Sequence, residues 1–205
     1  MSRGLRNNNP LNIRHSADRW QGARIAQTDK AFVQFTSMAY GYRAAWKILD
    51  TYCLAFKREG KAYNVRNIIG RWAPPTENNT GAYVRSVVML SGLGGNENMP
   101  RPKRYRAFNE VEKLVSLIAA MTCVENGIRL EQVDRKAIWE GYDLAFPEAK
   151  RCEKGGSTQR PSVCSPIPLQ IVPYRLPDEV KKIGPHWDEY WDWSPMAYTG
   201  DGKTV

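Results

Sequence analysis

One segment sets most of the terms on which this chain can fold: Asn109–Gly127 (NEVEKLVSLIAAMTCVENG). Val111, Leu114, Val115, Ile118 and Met121, with Thr122 beside them, recur at helical spacing and predict one amphipathic helix. Asn109 with Glu112 three residues on reads as a capping box, and Gly127 as the stop. One more turn of the same stripe lands on Glu125. An inward carboxylate at a helix C-terminus is disfavoured in its charged form twice, by burial and by the negative pole of the helix dipole. Its pKa is therefore expected above the ordinary range, as a general acid requires. The competing reading is a last-turn Glu bent outward, or bonded to a neighbouring amide or Arg.

Four more helices follow from pattern and punctuation. Met38–Arg58 carries Ala45, Ile48, Leu49, Tyr52, Cys53 and Phe56 on one face and ends at Gly60. Asn64–Trp72 is stopped by Pro74-Pro75. Thr80 can cap a helix ending near Gly92, and Asp134 one running to about Phe146. The polar opening Arg3–Arg14 (RGLRNNNPLNIR) reads as loop leading into a short strand at Leu11–Arg14. Trp20–Gly22 and Phe32–Phe35 predict a small hairpin. The expected class is mainly α with a small β-hairpin element, built on residues 1–146 as one helical domain. From Pro147 onward the texture changes. Eight of the thirteen prolines fall there, with an aromatic run at 187–193 (WDEYWDW) and no amphipathic rhythm. Residues 147–205 therefore read as an extended Pro/aromatic-rich tail, suited to docking on a partner.

Charge is unevenly spread. Residues 1–107 hold 18 Lys+Arg against 6 Asp+Glu, and residues 108–205 hold 12 against 15, within a net +9. A basic front half suits a polyanionic partner, either a bacterial wall or nucleic acid. Nucleic acid ranks last, because no helix shows a recognition motif and the basic residues are scattered over several elements. Four Cys at this length do not make a disulfide scaffold. Cys53 and Cys123 fall on helices, while Cys152 and Cys164 could pair in an oxidising compartment. With no CxxC and only two His, neither a metal site nor a cofactor is expected. No apolar run suggests a membrane span, and no signal-peptide hydrophobic region opens the chain. Synthesis in the cytoplasm is expected, with export left to another agent.

Several N-terminal residues carry a resemblance. Arg3–Arg14, Trp20-Gln21-Gly22, Asp29, Phe32, Phe35, Gly41-Tyr42-Arg43-Ala44, Tyr52 and Arg71–Pro75, with Glu77-Asn78 and Thr80, resemble a phage and prophage protein family opening with RGxRNNNPxNIR. Its members are usually described as phage structural proteins. A second resemblance speaks to chemistry. Asn12-Ile13-Arg14, Trp20-x-Gly22, a Phe-rich strand and then a helix are similar to wall glucosaminidases and lytic transglycosylases of the lysozyme superfamily. In those enzymes a catalytic Glu ends a helix reading A-x-x-E-S/G-G, which precedes that segment. Here Ile118–Gly127 (IAAMTCVENG) looks like the same helix moved to the C-terminal side. The resemblance implies a circularly permuted lysozyme-like domain with Glu125 as the acid. Leu11 departs from the Gly common in the phage family, and Asn126-Gly127 from the Ser-Gly after Glu.

The implied activity is cleavage of peptidoglycan by a glycosidase or lytic transglycosylase of phage origin. Its alternative is a non-catalytic virion structural protein that binds glycan or other virion components. Glycosidic cleavage needs a proton on the leaving oxygen and stabilisation of an oxocarbenium-like centre. Asp29, Glu77 and Asp134 are the candidates for a second carboxylate, but none is placed convincingly by the sequence. That favours a single-Glu site in which the substrate's acetamido group or 6-hydroxyl completes the chemistry. Asn9 and Asn12 could bind sugar amides and hydroxyls, as could Asn7 and Asn8, although turn formation claims some of the four. Trp20, Trp72 and Tyr83 could stack on pyranose faces. Glu77 belongs to the same candidate surface, and Arg14 and Arg71 could meet lactyl or peptide carboxylates.

Overall fold

The computed structural model describes residues 1–103 and 108–147. The predicted tail 147–205 and the Cys152–Cys164 pairing therefore lie outside the described residues, apart from Pro147 itself. The described part is mainly helical. In chain order the helices are α1 (Arg3–Arg6), α2 (Met38–Arg58), α3 (Val65–Trp72), α4 (Thr80–Ser91), α5 (Phe108–Asn126) and α6 (Arg135–Ala145), with a 3-10 turn at Leu130–Gln132.

The caps are read mostly as the sequence writes them. Asn64 caps α3 through the Asn67 N–H at 2.9 Å, and Asp134 caps α6 through the Ala137 N–H at 3.0 Å. Two ends differ. Asn79, not Thr80, caps α4, because the Thr80 hydroxyl donates to the Ala73 carbonyl at 2.6 Å and ties α4 to the end of α3. Helix α5 begins at Phe108, so Asn109 lies inside it, and Glu112 forms an ion pair with Arg135 of α6.

Helix α5 is the centre of the fold. Leu114, Val115, Leu117, Ile118, Ala119, Ala120 and Met121 are all buried, which is more than one stripe. A helix apolar all round is one packed on all sides. The small pair Ala119-Ala120 lets neighbours close on it from faces that a one-sided amphipathic helix would leave wet. Helix α4 packs along it, and α6 packs against both it and α2. Gly141 makes the second contact possible: a Cβ there would lie 2.7 Å from the Tyr42 Cβ and 2.9 Å from the Arg43 N. Trp46 of α2 fills the same seam, donating its indole N–H to the Ile138 carbonyl at 2.9 Å and meeting Tyr142 edge-on.

The expected strand at Leu11–Arg14 and the hairpin are reduced to isolated antiparallel bridges, Arg14 with Phe32 and Ala23 with Phe35; among the described residues no strand forms. Side chains replace the missing ladder. The Gln27 side chain donates to the Gln34 carbonyl at 2.9 Å and accepts from the Gln34 N–H at 2.7 Å, while Gln34 Oε1 accepts from the Thr28 N–H at 2.6 Å. Asn8 donates to the Phe35 carbonyl at 3.1 Å. The first six residues of the polar opening contain the short helix α1, where a loop was expected.

Candidate functional site

Helix α5 ends abruptly. Gly127 adopts φ +60°, and the Ile128 N–H reaches back to the Cys123 carbonyl at 3.2 Å, the Schellman arrangement. Glu125 stands in that last turn, and its side chain meets donors from three separate segments. Asn12 Nδ2 donates to Oε2 at 2.8 Å and to the Glu125 backbone carbonyl at 3.2 Å. Trp72 Nε1, from the last residue of α3, donates to Oε1 at 3.2 Å. The Tyr83 hydroxyl, from the first turn of α4, donates to Oε1 at 2.8 Å. Glu125 as a whole is half-buried, and its carboxyl lies deep among these donors.

Burial pushes the Glu125 pKa up. The three donors and the Arg14 charge pull the other way and do not fully offset it. Tyr83 responds in kind: burial, then the neighbouring carboxylate, holds its hydroxyl well above the usual tyrosine range. The two carboxyl oxygens are not equivalent. Oε1 accepts two bonds, which fill its lone-pair sites, while Oε2 accepts one from a side chain. The proton of the neutral acid therefore belongs on Oε2, on the side of Asn12 and the N-terminal arm.

That arm is pinned to the end of α5. Asn126 donates to the Pro10 carbonyl at 2.7 Å and to the Thr122 carbonyl at 2.9 Å, and accepts from the Ser2 hydroxyl at 2.6 Å. Gly4 lies in the angle between them: a Cβ there would come within 2.7 Å of both Asn12 Oδ1 and Asn126 Oδ1. Asn12 itself holds a left-handed backbone, φ +50°, which Asn tolerates better than most residues. Its Oδ1 is buried and without a hydrogen bond. Ser2 was missed by sequence reasoning, which named Gly4 only within the opening motif and Asn126 only as a departure from the Ser after the catalytic Glu.

The other candidates divide between the rim and the framework. Arg14 and Glu77 are both exposed and approach each other at 4.0 Å. Asn9 is fully buried. It donates to the Ile13 and Val33 carbonyls at 2.8 Å each and accepts from the Ile13 N–H at 2.8 Å, so it shapes the arm. Trp20 is half-buried and lines a separate groove of about 480 Å³ with Arg19, Arg43, Lys47 and Tyr52. Arg71 is held by Glu59 at 2.8 Å and lies over the Tyr52 and Phe56 rings.

Two of the three second-carboxylate candidates are likewise absorbed. Asp29 accepts from Arg3 at 2.6 and 2.7 Å, from Asn7 at 2.7 Å, and from the Ala31 and Phe32 N–H groups at 3.0 Å. Those bonds, the Arg3 guanidinium first, hold its pKa far below the ordinary carboxylate range. Asp134 is the α6 cap. Among the described residues, no group of three or more His, Cys, Asp or Glu converges as a metal site would require.

The chain is 34% identical over 148 residues to protein P5 of Pseudoalteromonas phage PM2, a match covering 71% of this chain and 82% of that protein. The chain belongs to the P5 family. No protein-family model matches it. Membership of the P5 family places the chain among phage proteins. The name P5 carries no activity. No helix among the described residues is long and apolar enough to cross a membrane.

Proposed function

We propose that the chain is a peptidoglycan-cleaving glycosidase or lytic transglycosylase, acting at the cell wall or from the virion, with Glu125 as its general acid. The observation that carries this reading is a deeply set carboxyl of raised pKa held by Asn12, Trp72 and Tyr83. The proton on Oε2 passes to the glycosidic oxygen as the bond from that oxygen to the anomeric carbon breaks. The new carboxylate then keeps three donors already aimed at it, which is where pre-set dipoles help a transition state most. The substrate's acetamido group or 6-hydroxyl meets the cationic carbon. Glu125 then takes a proton back from the attacking water or hydroxyl, which restores the acid.

The same reading proposes a lysozyme-like, circularly permuted domain. Its support is spatial. Asn12 touches Glu125 although 113 residues separate them in the chain. The Asn-Ile-Arg segment thus lies beside a Glu at the end of a helix, in spite of its reversed order in the sequence. An N-terminal arm pinned by Asn126 onto α5 is compatible with a chain cut at one place and joined at another.

Clearing of peptidoglycan by the purified protein, beside Glu125→Gln, tests the enzyme reading. Activity that disappears in the variant upholds it, and mass spectrometry of the fragments names the bond and the product. Equal activity in both removes Glu125 from the chemistry. A second reading, a non-catalytic virion protein, draws on kinship with a phage protein and on the three donors that hold Glu125, which also make a static clamp. Binding to the wall without clearing, by both proteins, would favour it.

A further inference from the structure

Resting on the proposed reading, we infer that Arg14 is a specificity-determining residue of the Glu125 site, taking a carboxylate-bearing substituent on the glycan beside the scissile bond. Three observations converge on it. The proton-bearing oxygen, Oε2, faces Asn12, and Arg14 follows two residues later on the same arm. The Arg14 charge acts on Glu125 through space. Its guanidinium is exposed, and the ion pair it makes with Glu77 is at the outer limit of contact, 4.0 Å, between side chains 73% and 65% exposed.

Arg14 is nevertheless aimed. Its backbone bridges Phe32, and its guanidinium lies 5.7 Å from the centre of the Phe32 ring. Arg3, over the same ring, is committed to Asp29, and Arg71 to Glu59. A weakly paired, oriented guanidinium beside a proton donor suits an anionic group of the substrate. Glu77 occupies that position, and the substrate carboxylate would take its place. The substrate class is a glycan carrying lactyl or peptide carboxylates, in preference to a neutral polymer of the same sugars.

The test uses intact sacculi and sacculi whose carboxyls have been converted to amides. Arg14→Ala should lower kcat/KM on native sacculi about tenfold, mainly through KM, and leave amidated sacculi within about twofold of wild type. Glu77→Gln should raise kcat/KM on native sacculi severalfold, and Arg14→Lys should restore part of the loss. Equal losses on both substrates would make Arg14 a structural residue and overturn the assignment.

Should the protein cleave neither substrate, the enzyme reading fails while the assignment is still decided by co-sedimentation. Glu125→Gln should then bind native sacculi more tightly than amidated ones, and Arg14→Ala added to it should erase the difference. Equal binding to the two, or none to either, overturns the inference.

Discussion

Asn12 holds Glu125 twice, through its carboxylate at 2.8 Å and its backbone carbonyl at 3.2 Å. One amide thereby fixes the last turn of α5 and the direction of the side chain that the turn presents. The left-handed backbone of Asn12 and the glycine at position 4 behind it show how tightly that amide is placed. Its Oδ1 is buried and unpartnered.

That open valence bears on Glu125→Gln. A folded-state pKa raised above the unfolded one means the charged carboxyl opposes folding. The penalty is absent below the unfolded pKa, about 4.3 for Glu, and grows as pH rises toward the folded value. Gln keeps an acceptor for Trp72 and Tyr83 and turns a donor toward Asn12, whose amide can rotate to receive it at the loss of its 3.2 Å bond to the residue-125 backbone carbonyl. The variant should be more stable than wild type by about 0.5–2 kcal/mol at pH 7, and the gap should close below about pH 4. Urea titrations at the two pH values measure it. A variant less stable at pH 7 would make the carboxylate a net structural clamp.

Much of the helical frame was legible because helix ends are written in few residues. Asn64, Asp134, Gly127 and the Pro74-Pro75 stop mark ends by chemistry that acts within one turn. The inward Glu125 was legible from the stripe alone. The full burial of Leu117, Ala119 and Ala120 was not, because periodicity ranks the faces of a helix without saying how many neighbours close on it. The hairpin failed for a related reason. Alternation in Phe32–Phe35 predicts extended chain, yet the Asn8, Asn9 and Gln27 side chains take backbone bonds that a strand partner would supply. Of the Asn run, only Asn12 reaches the carboxyl, and which one would do so depends on a turn that the sequence does not specify.

Tyr83→Phe removes a donor that favours the charged form of Glu125, so the carboxyl pKa should move further up. If the protonated acid is the working form, the alkaline limb of the kcat/KM profile should shift to higher pH. The plateau rate should fall about 10- to 100-fold, since a hydrogen bond to a charged group is worth about 1.5–3 kcal/mol. A pH–rate series on soluble glycan fragments checks both effects. An unchanged limb would mean that the profile reports some other group.

Asn126→Ala should loosen the arm without touching the carboxyl. It deletes bonds to Ser2, Pro10 and Thr122, at a cost of about 1–3 kcal/mol. The amides of residues 4–12 should exchange hydrogen faster, while those at the centre of α5 follow only the global change in stability. Uniform acceleration over both regions would mean that the arm does not open independently.

Asp29→Asn separates framework from chemistry. The Asp29 carboxylate is held far down by Arg3, Asn7 and two backbone N–H groups, so it contributes stability in its charged form. That contribution is present above the unfolded pKa, near 3.9, and is lost as pH falls toward the folded value. The variant should lose about 1–3 kcal/mol at pH 7, a modest sum because half of the Arg3 side chain is solvent-exposed. The deficit should shrink steadily below about pH 4. The alkaline limb of activity should keep its midpoint, because Asp29 has no part in holding the Glu125 proton. Thermal melts across pH 2–7, with a rate profile beside them, decide it. A collapse of the rate at unchanged stability would return Asp29 to the reaction as the second carboxylate.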